Sequence, residues 1–321
     1  MPPNSNASIL VVETEHPEDI DHYRSIIAKE LPTVRVHGAA SSVEAAAWRG
    51  DVTAVIGKAQ SLPATLLHAL PNLNWIQALT TGVDPLMAMN LPSSITITSV
   101  RGIHGPQMSE LCFMHMLMLL RDYPQMARNQ AAALWERKPQ RLLQGKTVGI
   151  VGVGAISMEL AARCKVFGMR VIGVSDSLKQ ADGFAEVLPR SQLQAVAARV
   201  DFLVVLVPYS ATTHHIINAN ILNSLRPDSY LINVARGAVV DEAALVEVMR
   251  QRRIAGAGLD VFATEPLPAS SPLWSLPNVI ITPHIGGLSD QYAEQLTPLL
   301  LHNLRCYVSG DWAAMQNRVA R

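Results

Sequence analysis

Three residues, each a few tens of positions from the next, could together perform acid–base chemistry on a small anion. Arg236 lies in Asn233-Val-Ala-Arg-Gly237, Glu265 in Leu259-Asp-Val-Phe-Ala-Thr-Glu-Pro266, and His284 in Ile281-Thr-Pro-His-Ile-Gly-Gly287. An arginine holds a carboxylate through a bidentate fork. A histidine gives or takes the proton of a hydroxyl/carbonyl pair near neutral pH. A glutamate beside that histidine favours the imidazolium and orients the ring. Taken singly, each has an ordinary explanation: a surface pair for the arginine, a turn cap for Glu-Pro, a structural Pro-His. A second constellation sits upstream. Thr147-Val-Gly-Ile-Val-Gly-Val-Gly-Ala-Ile-Ser157 runs an apolar strand into Gly152-x-Gly154-x-x-Ser157 and then a helix pattern. Gly152 permits a tight turn, Gly154 lets a pyrophosphate approach the backbone, and the N–H groups of the new helix face the phosphates. A Gly-x-Gly pair alone is a weak signal; the strand before it and the helix after it point to a dinucleotide. About twenty residues on, Ser175 and Asp176 close the next strand. A carboxylate there accepts the ribose 2′-OH and repels a 2′-phosphate. A solvated turn residue is the competing reading of Asp176.

Such side chains converge only if strand ends carry them. From residue 145, strands are expected at 148–151, 171–174, 202–207, 230–233, 256–260 and 279–281, with helices between them, such as 156–167 and 242–251. That alternation is a doubly wound α/β sheet, whose ligands bind outside the carboxyl ends of its strands. Arg236, Asp260, Glu265 and His284 then border one crevice. Upstream, strands at 9–12, 34–36, 54–56, 74–79 and 95–98 and a helix at 17–30 predict another parallel sheet. Residues 104–121 read as a long Met- and Leu-rich helix and 122–145 as a polar arm. A last helix falls at about 289–308, with no new domain after it.

With these segments in place, the chain resembles the D-isomer-specific 2-hydroxyacid dehydrogenases over essentially its whole length. INVARGAVVDEAAL, AGLDVFATEPLP and ITPHIGG are highly specific to that family. The resemblance implies an α/β fold of two doubly wound parallel-sheet domains. A Rossmann cofactor domain (101–287) is inserted in a flavodoxin-like substrate domain (1–100 and 288–321), with the active site in the cleft between them. It implies hydride transfer between a nicotinamide cofactor and a small 2-keto/2-hydroxy acid, D-stereospecific. Arg236 would bind the substrate carboxylate and carbonyl oxygen, His284 would be the acid/base, and Glu265 its partner. Thr81, Gly82 and Val83 resemble the loop whose backbone grips the carboxylate. Gly152, Gly154, Ala155, Ile156, Ser175, Asp176, Val207, Pro208, Thr213, Val234, Ala235, Gly286 and Gly287 would contact the cofactor, and Asp260 its carboxamide. A homodimer is expected.

Departures from the family pattern narrow the branch. Ser157 replaces the usual third glycine. Ser175 stands where NAD-preferring relatives carry Asp, with Asp176 one residue late; no arginine follows until Arg190, although Lys179 is near. NAD(H) is therefore expected to be favoured with modest discrimination, NADP(H) being the alternative. Arg101 in Ser99-Val-Arg-Gly-Ile-His-Gly105 makes the pattern closest to glyoxylate/hydroxypyruvate reductases. The alternative class is a nucleotide-sensing co-repressor of the same fold.

Composition excludes other classes. The 321 residues are 49% hydrophobic and 16% charged, with 26 basic and 26 acidic side chains. A chain without net charge has no general pull toward nucleic acid or an anionic membrane. The longest apolar stretch, 111–120, is too short to span a bilayer. The N-terminus lacks a basic signal region, and Cys112, Cys164 and Cys306 are too scattered for a disulfide frame, so a cytoplasmic protein is expected. No metal is expected: His214-His215 lacks a third ligand at suitable spacing, and a loop or capping role fits it better. His104 could line the cleft or be structural. His115 reads as a core histidine, the stripe Met108, Met114, Met116 and Met118 as packing, and Lys58 as solvated. Trp135 could anchor locally or reach a partner subunit.

Overall fold

The computed structural model describes residues 7–320. Among these, the chain up to Ile103 and the stretch from Ser289 form one unit, and His104–Leu288 forms the other.

Unit one is built on five parallel strands: β1 (Ser8–Val12), β2 (Arg35–Ala39), β3 (Ala54–Gly57), β4 (Trp75–Ala78) and β5 (Thr96–Thr98). Their order, β2-β1-β3-β4-β5, is the flavodoxin-like one. The side chains of β1 alternate between two cores, as period-two strands buried on both faces require. Ile9 and Val11 meet Tyr23 and Ile27 of helix Glu18–Glu30 and Leu296, Leu300 and Leu304 of helix Tyr292–Ser309. Leu10 and Val12 meet Leu62, Leu66 and Leu86 on the other side.

Unit two has seven parallel strands: β6 (Thr147–Val151), β7 (Arg170–Val174), β8 (Glu186–Leu188), β9 (Phe202–Val205), β10 (Tyr230–Asn233), β11 (Gly256–Leu259) and β12 (Val279–Ile281). Their order is β12-β11-β10-β9-β6-β7-β8. The chain winds outward from β6 through β7 to β8, then restarts at β9 on the other side of β6, so the winding reverses between β6 and β9. Helix Gly105–Leu120 covers one face, burying Met108, Cys112 and Met116 against Val148, Ile150 and Phe202. Met114 of the stripe is exposed. On the other face Leu193, Val196, Leu222 and Leu245 pack against Val151, Leu203 and Leu231.

Two elements depart from the sequence expectation. β8 forms although no apolar run marks it, and helix Tyr123–Ala131 occupies the first part of the expected polar arm with none of its residues buried. Among the described residues no helix is long and apolar enough to cross a membrane.

Candidate active site

The seven-stranded sheet presents its strand ends along one edge, and the loops there carry the chemistry. At the end of β10 the buried Asn233 shapes its own turn. Its Nδ2 donates to the carbonyl of Arg236 at 3.0 Å, and its Oδ1 accepts from Ala235 N–H at 3.2 Å. Val234 and Ala235 are buried in that turn, and Arg236 is half-buried, its Nη1 donating to the Ala235 carbonyl at 2.6 Å. A Cβ on Gly237 would fall on the carbonyl of Phe262. Only glycine lets the Arg236 turn lie directly on the 262–263 backbone, which brings the β10 end beside the loop of Glu265.

Glu265 has one oxygen in each direction. Oε1 accepts from Phe262 N–H at 2.9 Å, and Oε2 accepts from Nδ1 of His284 at 2.6 Å. With Nδ1 committed, Nε2 is the ring atom that can exchange a proton with a substrate. His284 takes a left-handed backbone, φ +54°, a strain of roughly 1–3 kcal/mol for a side chain of this kind. Its N–H bonds to the carbonyls of Asp260 (2.9 Å) and Thr282 (3.1 Å) help hold it.

The electrostatics follow from these partners. The Glu265 hydrogen bond raises the His284 pKa; burial opposes this, as does the charge of Arg236. Burial works to raise Glu265, but the His284 and Phe262 hydrogen bonds and the nearby positive charges outweigh it and hold the carboxyl below its ordinary value. Arg236 acts electrostatically on both, so the three residues form one charged cluster. His104, at the start of helix Gly105–Leu120, is buried against Gly287, and burial, with the charge of Arg236 second, pushes its pKa down to about 4. It is therefore a neutral imidazole at neutral pH.

Asp260 is 1% exposed and braces the His284 loop. Oδ1 accepts from Thr282 Oγ1 (2.6 Å) and Ile285 N–H (3.0 Å), and Oδ2 from Gly286 N–H (2.9 Å). His115 Nε2 lies 3.4 Å from the Thr282 hydroxyl, and burial takes that histidine down to about 4. A Cβ on Gly286 would meet Leu111 and Met108, so the loop sits tightly on the long helix. Asn233, Thr282 and His115 thus support the Arg236 and His284 loops; Asn233 and Thr282 lie inside the motifs INVARGAVVDEAAL and ITPHIGG, but residue type and spacing gave neither side chain a role.

The phosphate turn lies at the end of β6. Gly152 has φ +101°, and a Cβ there would meet Val207 and Leu206. A Cβ on Gly154 would meet nothing within 4 Å, so the turn is open above it. Ala155 is exposed and Ile156 half-buried in the first turn of helix Ala155–Val166. Ser157 is buried. Its Oγ accepts from Gly154 N–H at 2.6 Å and donates back to the Gly154 carbonyl at 2.8 Å. The hydroxyl that replaces the third glycine clasps the turn. An open strand-end turn backed by helix N–H groups fits a dinucleotide pyrophosphate. On one flank Thr213 Oγ1 ties the loop after β9 by donating to Pro208 carbonyl (2.8 Å) and accepting from Ser210 N–H (2.7 Å). On the other, Ser175 follows β7, and the carboxylate of Asp176 pairs with Arg190.

Unit two thus gathers Arg236, Asp260, Glu265, His284, Gly286 and Gly287, with the phosphate turn on the same sheet edge. Thr81, Gly82 and Val83 belong to unit one, beyond the carboxyl end of β4, where Thr81 Oγ1 donates to the Val100 carbonyl at 2.7 Å and Thr80 Oγ1 to that of Gly82 at 2.8 Å. Lys58 departs from the solvated reading: it is buried, with Nζ 2.8 Å from Glu15 and 3.3 Å from Glu13. His214 and His215 stack at 3.9 Å, and among the described residues no group of three potential ligands surrounds a metal position.

Comparison with known proteins agrees with this geometry. The family model described as D-isomer specific 2-hydroxyacid dehydrogenase, NAD binding domain, matches residues 113–286. A glyoxylate reductase of Thermococcus onnurineus is 41% identical over 170 residues, covering 52% of this chain and 50% of that enzyme. The chain matches about half the length of that relative. The structure of a D-isomer specific 2-hydroxyacid dehydrogenase family protein from Aeromonas salmonicida is 32% identical, with a TM-score of 0.90, 98% of this chain and 99% of that one being covered. An NADPH-dependent glyoxylate/hydroxypyruvate reductase from Sinorhizobium meliloti, in complex with NADP and sulfate, is 27% identical with a TM-score of 0.84 and 98% of both chains covered. The chain belongs to the D-isomer specific 2-hydroxyacid dehydrogenases and is an NAD(P)-dependent hydroxyacid oxidoreductase.

Proposed function

We propose that the protein reduces small 2-keto acids of the glyoxylate and hydroxypyruvate kind to D-2-hydroxy acids, or to the achiral product where the substrate is glyoxylate. The observation that carries this is the Glu265–His284 pair within electrostatic reach of Arg236 at adjoining strand ends. A nicotinamide cofactor, when bound at the phosphate turn of Gly152 and Gly154, would supply the hydride for the keto carbon. Arg236 holds the carboxylate and polarises the carbonyl oxygen, and His284 Nε2 gives that oxygen its proton. Glu265 keeps the imidazolium populated and the ring aimed. The family resemblance assigns the loop Thr81-Gly82-Val83 to the carboxylate. Asp260 keeps lone-pair capacity for a carboxamide N–H besides its three donors. Support for the substrate class comes from the reductases to which the chain is similar; these relatives do not favour the co-repressor alternative.

The cofactor preference is NAD(H) with modest discrimination, because Asp176 is the carboxylate at the end of β7 and its charge is partly cancelled by Arg190. The protein is a cytoplasmic homodimer in this reading. Trp135 is 90% exposed, and Leu134 and Leu142 of the same segment are exposed as well, apolar side chains that a second copy would cover. The test is spectrophotometric oxidation of NADH and NADPH with glyoxylate, hydroxypyruvate and pyruvate. Turnover is expected with the first two and should fall on the order of a hundredfold or more in His284→Ala. No turnover with any keto acid, or near-full turnover in that variant, overturns the assignment.

A further inference from the structure

At the carboxyl edge of β7 the structure holds a cation that the strand-end loop does not itself supply. Ser175 Oγ accepts from the N–H groups of Ser177 (3.3 Å) and Leu178 (3.2 Å) and lies 3.2 Å from Ser177 Oγ, making a tight hydroxyl-lined turn. β8 is tied to it, since Ser175 N–H donates to the Leu188 carbonyl at 2.8 Å. Two residues past β8, Arg190 turns back. Its N–H donates to Asp176 Oδ1 at 2.8 Å, its Nε to Oδ2 at 2.7 Å, and its Nη1 to the Thr212 carbonyl at 3.1 Å. One guanidinium therefore joins the loops after β7, β8 and β9, beside the strand whose tip faces an adenosine ribose in this fold. The pair is wet, with Arg190 35% and Asp176 50% exposed, and an exposed pair contributes little by itself, so exchanging its partner is easy. A guanidinium has five N–H donors, of which the bonds to Asp176 and Thr212 use two, leaving Nη2 able to meet a second anion.

We propose that Arg190 is a specificity-determining residue: its guanidinium binds the 2′-phosphate of NADP(H), flanked by the Ser175 and Ser177 hydroxyls. Asp176 takes the ribose diol when NAD(H) binds and releases Arg190 when the 2′-phosphate arrives. The proposal rests on the cofactor site described above. It would let a chain without an arginine in the 175–179 loop accept both cofactors.

Binding of 2′,5′-ADP and of 5′-ADP, measured by calorimetry on the full chain, separates the two functions without any turnover. Arg190→Gln is expected to weaken 2′,5′-ADP by about ten- to hundredfold, the loss of a charge-assisted hydrogen-bonded contact, and 5′-ADP by less than about threefold. Arg190→Lys, which keeps the charge, should retain much of the 2′,5′-ADP affinity. Asp176→Asn should tighten 2′,5′-ADP, and Lys179→Gln should leave the ratio unchanged. Equal loss of both ligands in Arg190→Gln, no loss of either, or transfer of the effect to Lys179→Gln overturns the proposal. Failure of the parent protein to bind either adenosine ligand overturns the cofactor site itself, and the proposal with it.

Discussion

Replacing Thr282 by valine removes one hydroxyl and almost no volume, which makes it a clean probe of how the His284 loop is held. Thr282 is 8% and Asp260 1% exposed, so their 2.6 Å bond is scarcely screened by water. A hydrogen bond to a charged group contributes about 1.5–3 kcal/mol. The buried His115 Nε2 also loses its neighbour at 3.4 Å, which adds roughly 1 kcal/mol. The expected destabilisation is therefore about 2–4 kcal/mol, or a fall in Tm on the order of 5–10 °C for a unit of this size. His284 is two residues beyond Thr282 and shares its anchor on Asp260, so kcat should fall as well, by roughly tenfold, the scale of a misplaced catalytic group. Thermal and urea melts with steady-state kinetics measure both, and Thr282→Ser should restore most of each. A valine variant with parental Tm and parental kcat would refute the bracing role of the Asp260–Thr282 bond.

Three further perturbations follow from the same geometry. In Glu265→Gln the hydrogen bond that raises His284 is weakened, so the protonated acid is lost at lower pH and the high-pH limb of the reductive pH–rate profile moves down; a superimposable profile contradicts the pairing. The stability of the pair has a window: it is lost as pH rises through the raised His284 pKa and as pH falls through the lowered Glu265 pKa. The variant should therefore match the parent outside that range and be less stable inside it. Arg236→Lys keeps the charge but loses the planar fork, so KM for the keto acid should rise about tenfold or more while KM for the nicotinamide cofactor changes little; equal losses would place the residue elsewhere. Lys58→Met leaves the buried Glu13 carboxylate without its cation and should cost about 3–5 kcal/mol in urea melts, whereas Lys58→Met with Glu13→Gln should recover most of it.

Much of this architecture is legible in the chain because fully buried parallel strands are written as apolar runs: Val148 to Val151, Phe202 to Val205 and Tyr230 to Ile232 announce themselves. β8 does not, because Glu186–Leu188 is a half-buried edge strand of three residues with one neighbour, β7. Helix Tyr123–Ala131 hides for a different reason: none of its residues is buried and the segment is polar on the whole, so it carries no apolar run to set it apart from a solvated arm. In the candidate site, Arg236, Glu265 and His284 stand out as chemically active types at strand ends. Asn233 and Thr282 are common polar residues whose roles exist only once the turns close. The partner of Asp176 was hidden too: Arg190 lies beyond an intervening strand, and only the return of β8 alongside β7 brings the two together. Lys58 misled because a lysine is usually solvated, and only the strand ends of β1 and β3 side by side give it two carboxylates.

The two ends of unit two are neighbours within that unit: Gln107 Nε2 donates to the Gly287 carbonyl at 3.5 Å, and a Cβ on Gly287 would lie 3.4 Å from the His104 ring. For the assembly of unit one, the whole intervening stretch is a loop. Left unfolded, a loop on the order of 200 residues carries a closure entropy about 3 kcal/mol larger than a loop of a few residues. Once unit two has folded, its ends are already side by side, and unit one closes as though its two segments were joined by a short connection. The inserted unit thus acts as an intramolecular template for its host, and their stabilities are coupled by chain connectivity. Destabilising unit two should lower the refolding rate of unit one even where the substitution touches none of its residues.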